Sequence, residues 1–269
     1  MTTNKLFSAN TKTFGAPLET ILEAVKAAGF GGIEIWNDDV EDDLPYWKTR
    51  LGESGLQVST FQLLRDFEGT SKAAMPERLE KAEALMAMMT MINAELLLVC
   101  ANTDATSSKN TADMIADLRI LARMASARGL RIGFEPLSWS AWINDYDKAS
   151  ALVDAVAEES LGLVLDTFHL FSGGGSLDVL DRINVDKLCF VQLNNVHAIS
   201  PPFIEIARHH RTFPTEGIWP VADVVRHLER RGYDGYFSLE VFNDAYREVD
   251  PFDLAVQAWE SLQTLFNPS

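Results

Sequence analysis

Eight short β-rich runs recur along this chain, and each is followed by a stretch whose apolar residues return every three or four positions. The runs are Leu6–Asn10, Gly32–Trp36, Gln57–Leu64, Leu96–Ala101, Arg131–Glu135, Leu161–Asp166, Leu188–Leu193 and Tyr236–Phe242. The alternation predicts parallel strands joined by crossover helices. Eight such units in 269 residues predict a single (β/α)8 TIM barrel over residues 1–269, in preference to an open doubly wound sheet. No glycine-rich phosphate fingerprint follows the first run, which counts against a dinucleotide-binding fold. Glycines stop three of the helical stretches: Gly29 after PLETILEAVKAA, with Pro17 expected at the first helical position, Gly129 after TADMIADLRILARMASAR, and Gly232 after VADVVRHLERR.

Four runs in the second half end on an oxygen-bearing side chain: Glu135, Asp166, Gln192 and Glu240. A carboxylate or amide in a buried strand is costly unless something pairs with it. Barrel active sites lie at the C-terminal ends of the strands. The four fall there on consecutive units, with gaps of 31, 26 and 48 residues. Any one alone could cap a helix or join an ion pair. Three carboxylates and an amide on one rim suit a single hard divalent cation, Mg or Mn before Co or Zn. His169, three residues past Asp166, is expected to move a proton near neutral pH.

The longest gap holds a basic segment, Asn194–Trp219, with His197, His209, His210, Arg208 and Arg211. Over an acidic rim it suggests a small anionic substrate, with Arg211 and His209 as contacts. Arg65, after the third strand, is a further clamp, and Asp66 and Glu68 could simply pair with it.

Composition narrows the function. The 39 acidic and 23 basic residues give a net charge of −16, which repels a phosphate backbone and disfavours nucleic-acid partners. Cys100 and Cys189 sit in apolar runs and read as reduced core thiols. The N-terminus lacks a signal layout and no apolar stretch is long enough for a bilayer, so a cytoplasmic enzyme without membrane partners is expected. The methionine-rich Ala84–Ile92 reads as helical core, and the acidic run Asp38–Pro45 as a solvated loop leading into the second helix. No sequence signal sets the oligomeric state; a homo-oligomer is compatible.

The segments FQLLRDFEG, FEPLSW, GLVLDTFH, FVQL, ARHHRTFPTEG and SLEVFND, between Phe61 and Asp244, carry a family resemblance. The chain resembles the xylose isomerase-like barrel superfamily, and within it the bacterial metal-dependent 3-dehydroshikimate dehydratases. GLVLDTFH alone points only to the superfamily; RDFEG, RTFP and SLEVFND are more specific. The resemblance implies that Glu135, Asp166, Gln192 and Glu240 bind the metal, that His169 transfers the proton, and that Arg65 and Arg211 contact a ring carboxylate. It implies a lyase that converts 3-dehydroshikimate to protocatechuate through a metal-stabilised enolate. Leu137 stands where some of these dehydratases carry a histidine, and Ala207 where a serine is expected. Some dehydratases of this type carry a dioxygenase-like second domain, for which 269 residues leave no room. A sugar or sugar-phosphate isomerase or epimerase is the neighbouring alternative, using the same cation site. A DNA-repair nuclease is disfavoured by five scattered histidines and the charge. A non-catalytic binding barrel would lack a ligand or proton-transfer residue, and none of the expected set is missing.

Overall fold

The computed structural model describes residues 5–198 and 201–267. In chain order its first half holds β1 (Leu6–Asn10), α1 (Leu18–Ala28), β2 (Gly32–Trp36), α2 (Asn37–Val40), α3 (Leu44–Ser54), β3 (Gln57–Arg65), α4 (Met75–Ile92), β4 (Leu96–Cys100), α5 (Thr111–Ser126), β5 (Arg131–Glu135) and α6 (Tyr146–Val156). The second half adds β6 (Leu161–Asp166), α7 (Thr167–Ser172), α8 (Leu177–Arg182), β7 (Leu188–Leu193), β8 (Asn195–Val196), α9 (Phe203–His209), β9 (Arg211–Thr212), α10 (Val221–Arg230), β10 (Tyr236–Leu239) and α11 (Pro251–Phe266).

Eight parallel strands close in the order β1-β10-β7-β6-β5-β4-β3-β2, so the expected (β/α)8 barrel is borne out. β4 and β6 are buried at every position, as strands must be when a helical layer covers one face and the barrel interior the other. The last strand ends at Leu239, earlier than its apolar run suggests. Past it, Glu240 N–H still reaches the Leu193 carbonyl, but Val241 N–H turns to the Thr13 hydroxyl and the ladder stops.

Two apolar layers hold the cylinder. The outer one lies between strands and helices and includes Leu18, Ile21, Leu22 and Val25 of α1 against strand residues such as Ile33 and Ile35. Fully burying a side chain of this kind is worth about 1.5–3 kcal/mol. The inner one is small: Leu63, Leu96, Leu98, Cys100, Leu137, Val164 and Phe190. It needs close approach at Gly133, where a Cβ would sit 2.7 Å from Val164 Cγ2. Gly29 ends α1 with φ 113°, a conformation that L side chains avoid. Pro17 precedes that helix as its cap residue, one position earlier than expected.

The methionine-rich stretch packs as core through Met86 and Met89. The acidic run departs from expectation. Part of it forms α2, and Asp39 is not merely solvated, because it accepts from Trp36 N–H (2.9 Å), Thr11 Oγ1 (2.6 Å) and Lys12 Nζ (2.7 Å). Among the described residues, no helix is long and apolar enough to cross a membrane.

Candidate metal centre and substrate cavity

Side chains alternate faces along a strand, so register decides what meets at the rim. Asp166 is paired with Gln192, Gln192 with Ser238, and Cys100 with Glu135. Glu240 follows the last residue of β10. These positions bring Glu135, Asp166, Gln192 and Glu240 to one end of the barrel, where all four are at most 4% exposed. Oxygens of Glu135 and Asp166 and a nitrogen of His169 lie within 4.8 Å of one another. Arg211 ties Glu240 to this group: its Nη1 donates to Asp166 Oδ2 (2.9 Å) and Glu240 Oε2 (3.1 Å). Gln192 joins through its Nε2, 2.9 Å from Glu240 Oε1.

A fourth buried carboxylate, Glu34 on β2, was not anticipated. It accepts from Thr60 Oγ1 (2.9 Å), Gln62 Nε2 (2.7 Å), Gln192 Nε2 (3.0 Å) and Ser238 Oγ. Its signal was the same as that of the other acids, a charged residue inside an apolar strand (GIEIW). Asn10 and Gln62 were also missed; both donate to Glu240 Oε1, at 2.8 and 3.3 Å.

Three of these buried carboxylates, Glu135, Asp166 and Glu240, thus face one buried guanidinium, with Glu34 behind them. Burial first, then the charge of Asp166, pushes the Glu135 carboxyl up to about 8. Burial likewise lifts Glu240 well above the usual carboxylate range, against the pull of Arg211. Burial opposes the Arg211 charge, but Asp166, Glu240 and Glu135 outweigh it and its pKa is raised. Such a cluster is short of positive charge. The donors fit a hard divalent cation, and one atom is left over for it: Gln192 Oε1 is buried without a hydrogen-bond partner among the described residues.

His169 is 3% exposed, with Nε2 at 3.9 Å from Glu135 and 3.8 Å from Asp166. Burial lowers its pKa to about 4, so the ring is neutral at pH 7. Two groups contend for its Nδ1. Ser138 N–H points at it from 3.2 Å, which favours a proton on Nε2. Ser138 Oγ lies 3.1 Å away and 2.9 Å from Ser172 Oγ, which donates to the Phe168 carbonyl (2.5 Å). A carbonyl can only accept, so in the Nδ1–H tautomer this chain runs outward from the ring and leaves the Nε2 lone pair free toward the acids.

The centre opens into a cavity of about 280 Å³, walled by Trp36, Leu63, Leu137, Trp139 and Phe242. Arg65, Arg208, Arg211, His169, Glu135 and Glu240 also line it. The long segment after β7 folds as α9 between β8 and β9, which pair antiparallel. Arg211 is locked there: Nε donates to the Ala207 carbonyl (2.8 Å), and the guanidinium carbon lies 4.7 Å from the ring centroids of both Phe168 and Phe242. His209 is not brought to the cavity. Its Nδ1 contacts Asp244 at 3.0 Å on the exposed side of α9, and Arg208 takes the inward place. Nor do Asp66 and Glu68 pair with Arg65. Asp66 accepts from Thr103 N–H (2.9 Å) and Glu68 from Asn102 N–H (2.6 Å), which pins the β3–α4 loop and leaves Arg65 free of both. Cys100, read as a plain core thiol, borders the cavity and contacts Glu135 at 3.2 Å; both cysteines are free.

Residues 22–265 match the family described as xylose isomerase-like TIM barrel. Over 258 residues, 95% of its length, the chain is 36% identical to a 3-dehydroshikimate dehydratase of Pseudomonas aeruginosa, of which the match covers 41%. Among solved structures, a xylose isomerase-like TIM barrel/4-hydroxyphenylpyruvate dioxygenase fusion protein superposes with a TM-score of 0.92 at 33% identity, over 97% of this chain and 43% of that one. The IolI protein with a bound zinc atom superposes with a TM-score of 0.87 at 17% identity, over 97% of both chains, a likeness of fold. The chain therefore spans about two fifths of the length of the dehydratase and fusion protein that it matches.

Proposed function

The chain belongs to the xylose isomerase-like TIM barrel family, and from that premise we propose that it is a metal-dependent lyase dehydrating 3-dehydroshikimate to protocatechuate. The reading rests on one observation above others: three buried carboxylates, Glu135, Asp166 and Glu240, gather round a single buried guanidinium that pairs directly with two of them, beside an amide oxygen with no partner among the described residues. The 36% identity to the P. aeruginosa dehydratase along 95% of the chain supports the choice of substrate.

Glu135, Asp166, Gln192 and Glu240 would hold the divalent cation, with a His169 nitrogen within reach of the first two. Bound there, the cation supplies Lewis acidity toward a ring ketone and its neighbouring hydroxyl. Arg65 and Arg208 line the cavity, and among the described residues neither forms an ion pair, so both are free to clamp the ring carboxylate. Arg211, with Nε and Nη1 already committed, chiefly offsets the charge of the acids. Neutral His169 takes the proton from the carbon beside the ketone at Nε2, with Nδ1–H held by Ser138 Oγ. The β-hydroxyl leaves with a proton as water, and loss of a ring proton to the ketone oxygen completes the aromatic ring. Trp36, Trp139 and Phe242 keep bulk water from the ring.

Purified protein supplied with Mg²⁺ or Mn²⁺ is expected to convert 3-dehydroshikimate into a product with the ultraviolet absorption of a catechol acid. Absence of that chromophore across Mg, Mn, Co and Zn would remove the assignment. Uptake of solvent deuterium into a ketose without any chromophore would favour an isomerase or epimerase.

A further inference from the structure

Glu34 lies beneath the rim, is fully buried, and takes no part in the chemistry above, yet four donors converge on it. Leaving a carboxylate there has a large desolvation cost, so what it holds matters. Its Oε2 accepts one hydrogen of the Gln192 amide, and Glu240 Oε1 accepts the other. Both acceptors are carboxylate oxygens. Turning the amide over would set its oxygen against two of them, so the nitrogen stays on that side and Oε1, without a partner among the described residues, is presented on the other. Glu240 belongs to the cation site and its second oxygen engages Arg211. Glu34 has neither role.

We propose that Glu34 is a positioning residue that fixes the Gln192 amide with its oxygen, not its nitrogen, toward the cation site. This rests on the cation site proposed above. Thr60 and Ser238 hydroxyls hold Glu34 in turn, and Gln62 bridges it to Glu240 Oε1, so the support extends across β2, β3, β7 and β10. A glutamine at position 34 has almost the same shape but brings an N–H₂ group. Gln192 can then satisfy it with Oε1, and the ligand atom is drawn away from the site.

The test is Mn²⁺ binding to the purified protein, followed by calorimetry or electron paramagnetic resonance. Glu34→Gln is expected to weaken binding by about 10- to 100-fold, the usual effect of removing a partner that orients a ligand. The unfolding temperature of the cation-free protein should stay level or rise, since a buried charge is gone. The double variant Glu34→Gln/Gln192→Leu should bind no more weakly than Gln192→Leu alone, because Glu34 acts only through that amide. Glu34→Met, similar in volume and unable to pair, is the second variant; it too should weaken Mn²⁺ binding, while the four donors left without an acceptor lower its unfolding temperature. Binding by Glu34→Gln within twofold of wild type, or additive losses in the double variant, overturns the inference while leaving the cation site intact. No Mn²⁺ binding by the wild type overturns the site itself, and this inference with it.

Discussion

Asp166 does three things with two oxygens. Oδ1 accepts from Phe168 N–H (2.7 Å), capping α7, and from Asn194 Nδ2 (2.7 Å), while Oδ2 takes Arg211 and faces the cation site. Tyr146 OH, bonded to Asp166 N–H at 2.7 Å, fixes its backbone as well. A side chain held this way cannot drift, which is what a short-range metal ligand needs. His169 is less settled, because Ser138 presents both a backbone donor and a hydroxyl to the same ring nitrogen. Ser138→Ala removes the hydroxyl and leaves the N–H, so the proton should move to Nε2 and the base be lost from the working population. One neutral hydrogen bond is worth about 1 kcal/mol, so kcat should fall roughly fivefold with KM little changed. Nitrogen-15 shifts of the ring should report more of the Nε2–H tautomer; unchanged shifts would assign Ser138 a packing role alone. None of this was legible in the sequence, because a serine three residues past a strand end carries no mark of its partner. Glu34 is different. It sits in an apolar run like the three acids and one amide predicted as ligands, but it lies mid-strand, not at the rim where that prediction looks.

At the scale of elements, strand positions were readable because both faces of each strand are buried and the apolar runs are therefore continuous. The segment between β7 and β10 was not, since its structure depends on partners distant in sequence. Its two-residue strands pair with each other, and α9 is seated by aromatic contacts of Phe203 with Phe168 and Trp139. Counting basic residues there identified an anion-binding loop but not which of them turns inward. Helix geometry separates neighbours by 100°, so Arg208 reaches the cavity while His209 meets Asp244. Arg208→Ala should raise KM for the anionic substrate by about 10- to 100-fold, as expected for a charged hydrogen bond worth about 1.5–3 kcal/mol. His209→Ala should leave both constants near wild type. Equal losses in the two variants, measured by steady-state kinetics, would place the anion elsewhere.

For the molecule as a whole, the acid cluster couples folding, cation and pH. The outer apolar layer closes the barrel, and the strands then hold Glu34, Glu135, Asp166 and Glu240 together whether or not enough positive charge is present. In the cation-free protein Glu135 is raised to about 8, against 4.5 for an ordinary glutamate. A group raised on folding contributes stability below its unfolded value and loses it as pH climbs through the folded one. Glu135 therefore weakens the cation-free fold between pH 4.5 and 8 by up to about 1.4 kcal/mol per pH unit. A divalent cation reverses this, because it binds the ionised form and must expel that proton. Mn²⁺ affinity should accordingly rise about tenfold per pH unit from pH 6 and level off near 8 for each proton displaced. At a hundred times its dissociation constant the cation should add about 2.7 kcal/mol. For a domain of this size that is roughly 5–10 °C in Tm, and a chelator should remove it. Scanning calorimetry at pH 6, 7 and 8, with Mn²⁺ and with chelator, separates the cases. A Tm difference that ignores pH would mean that the cation does not meet the Glu135 carboxylate.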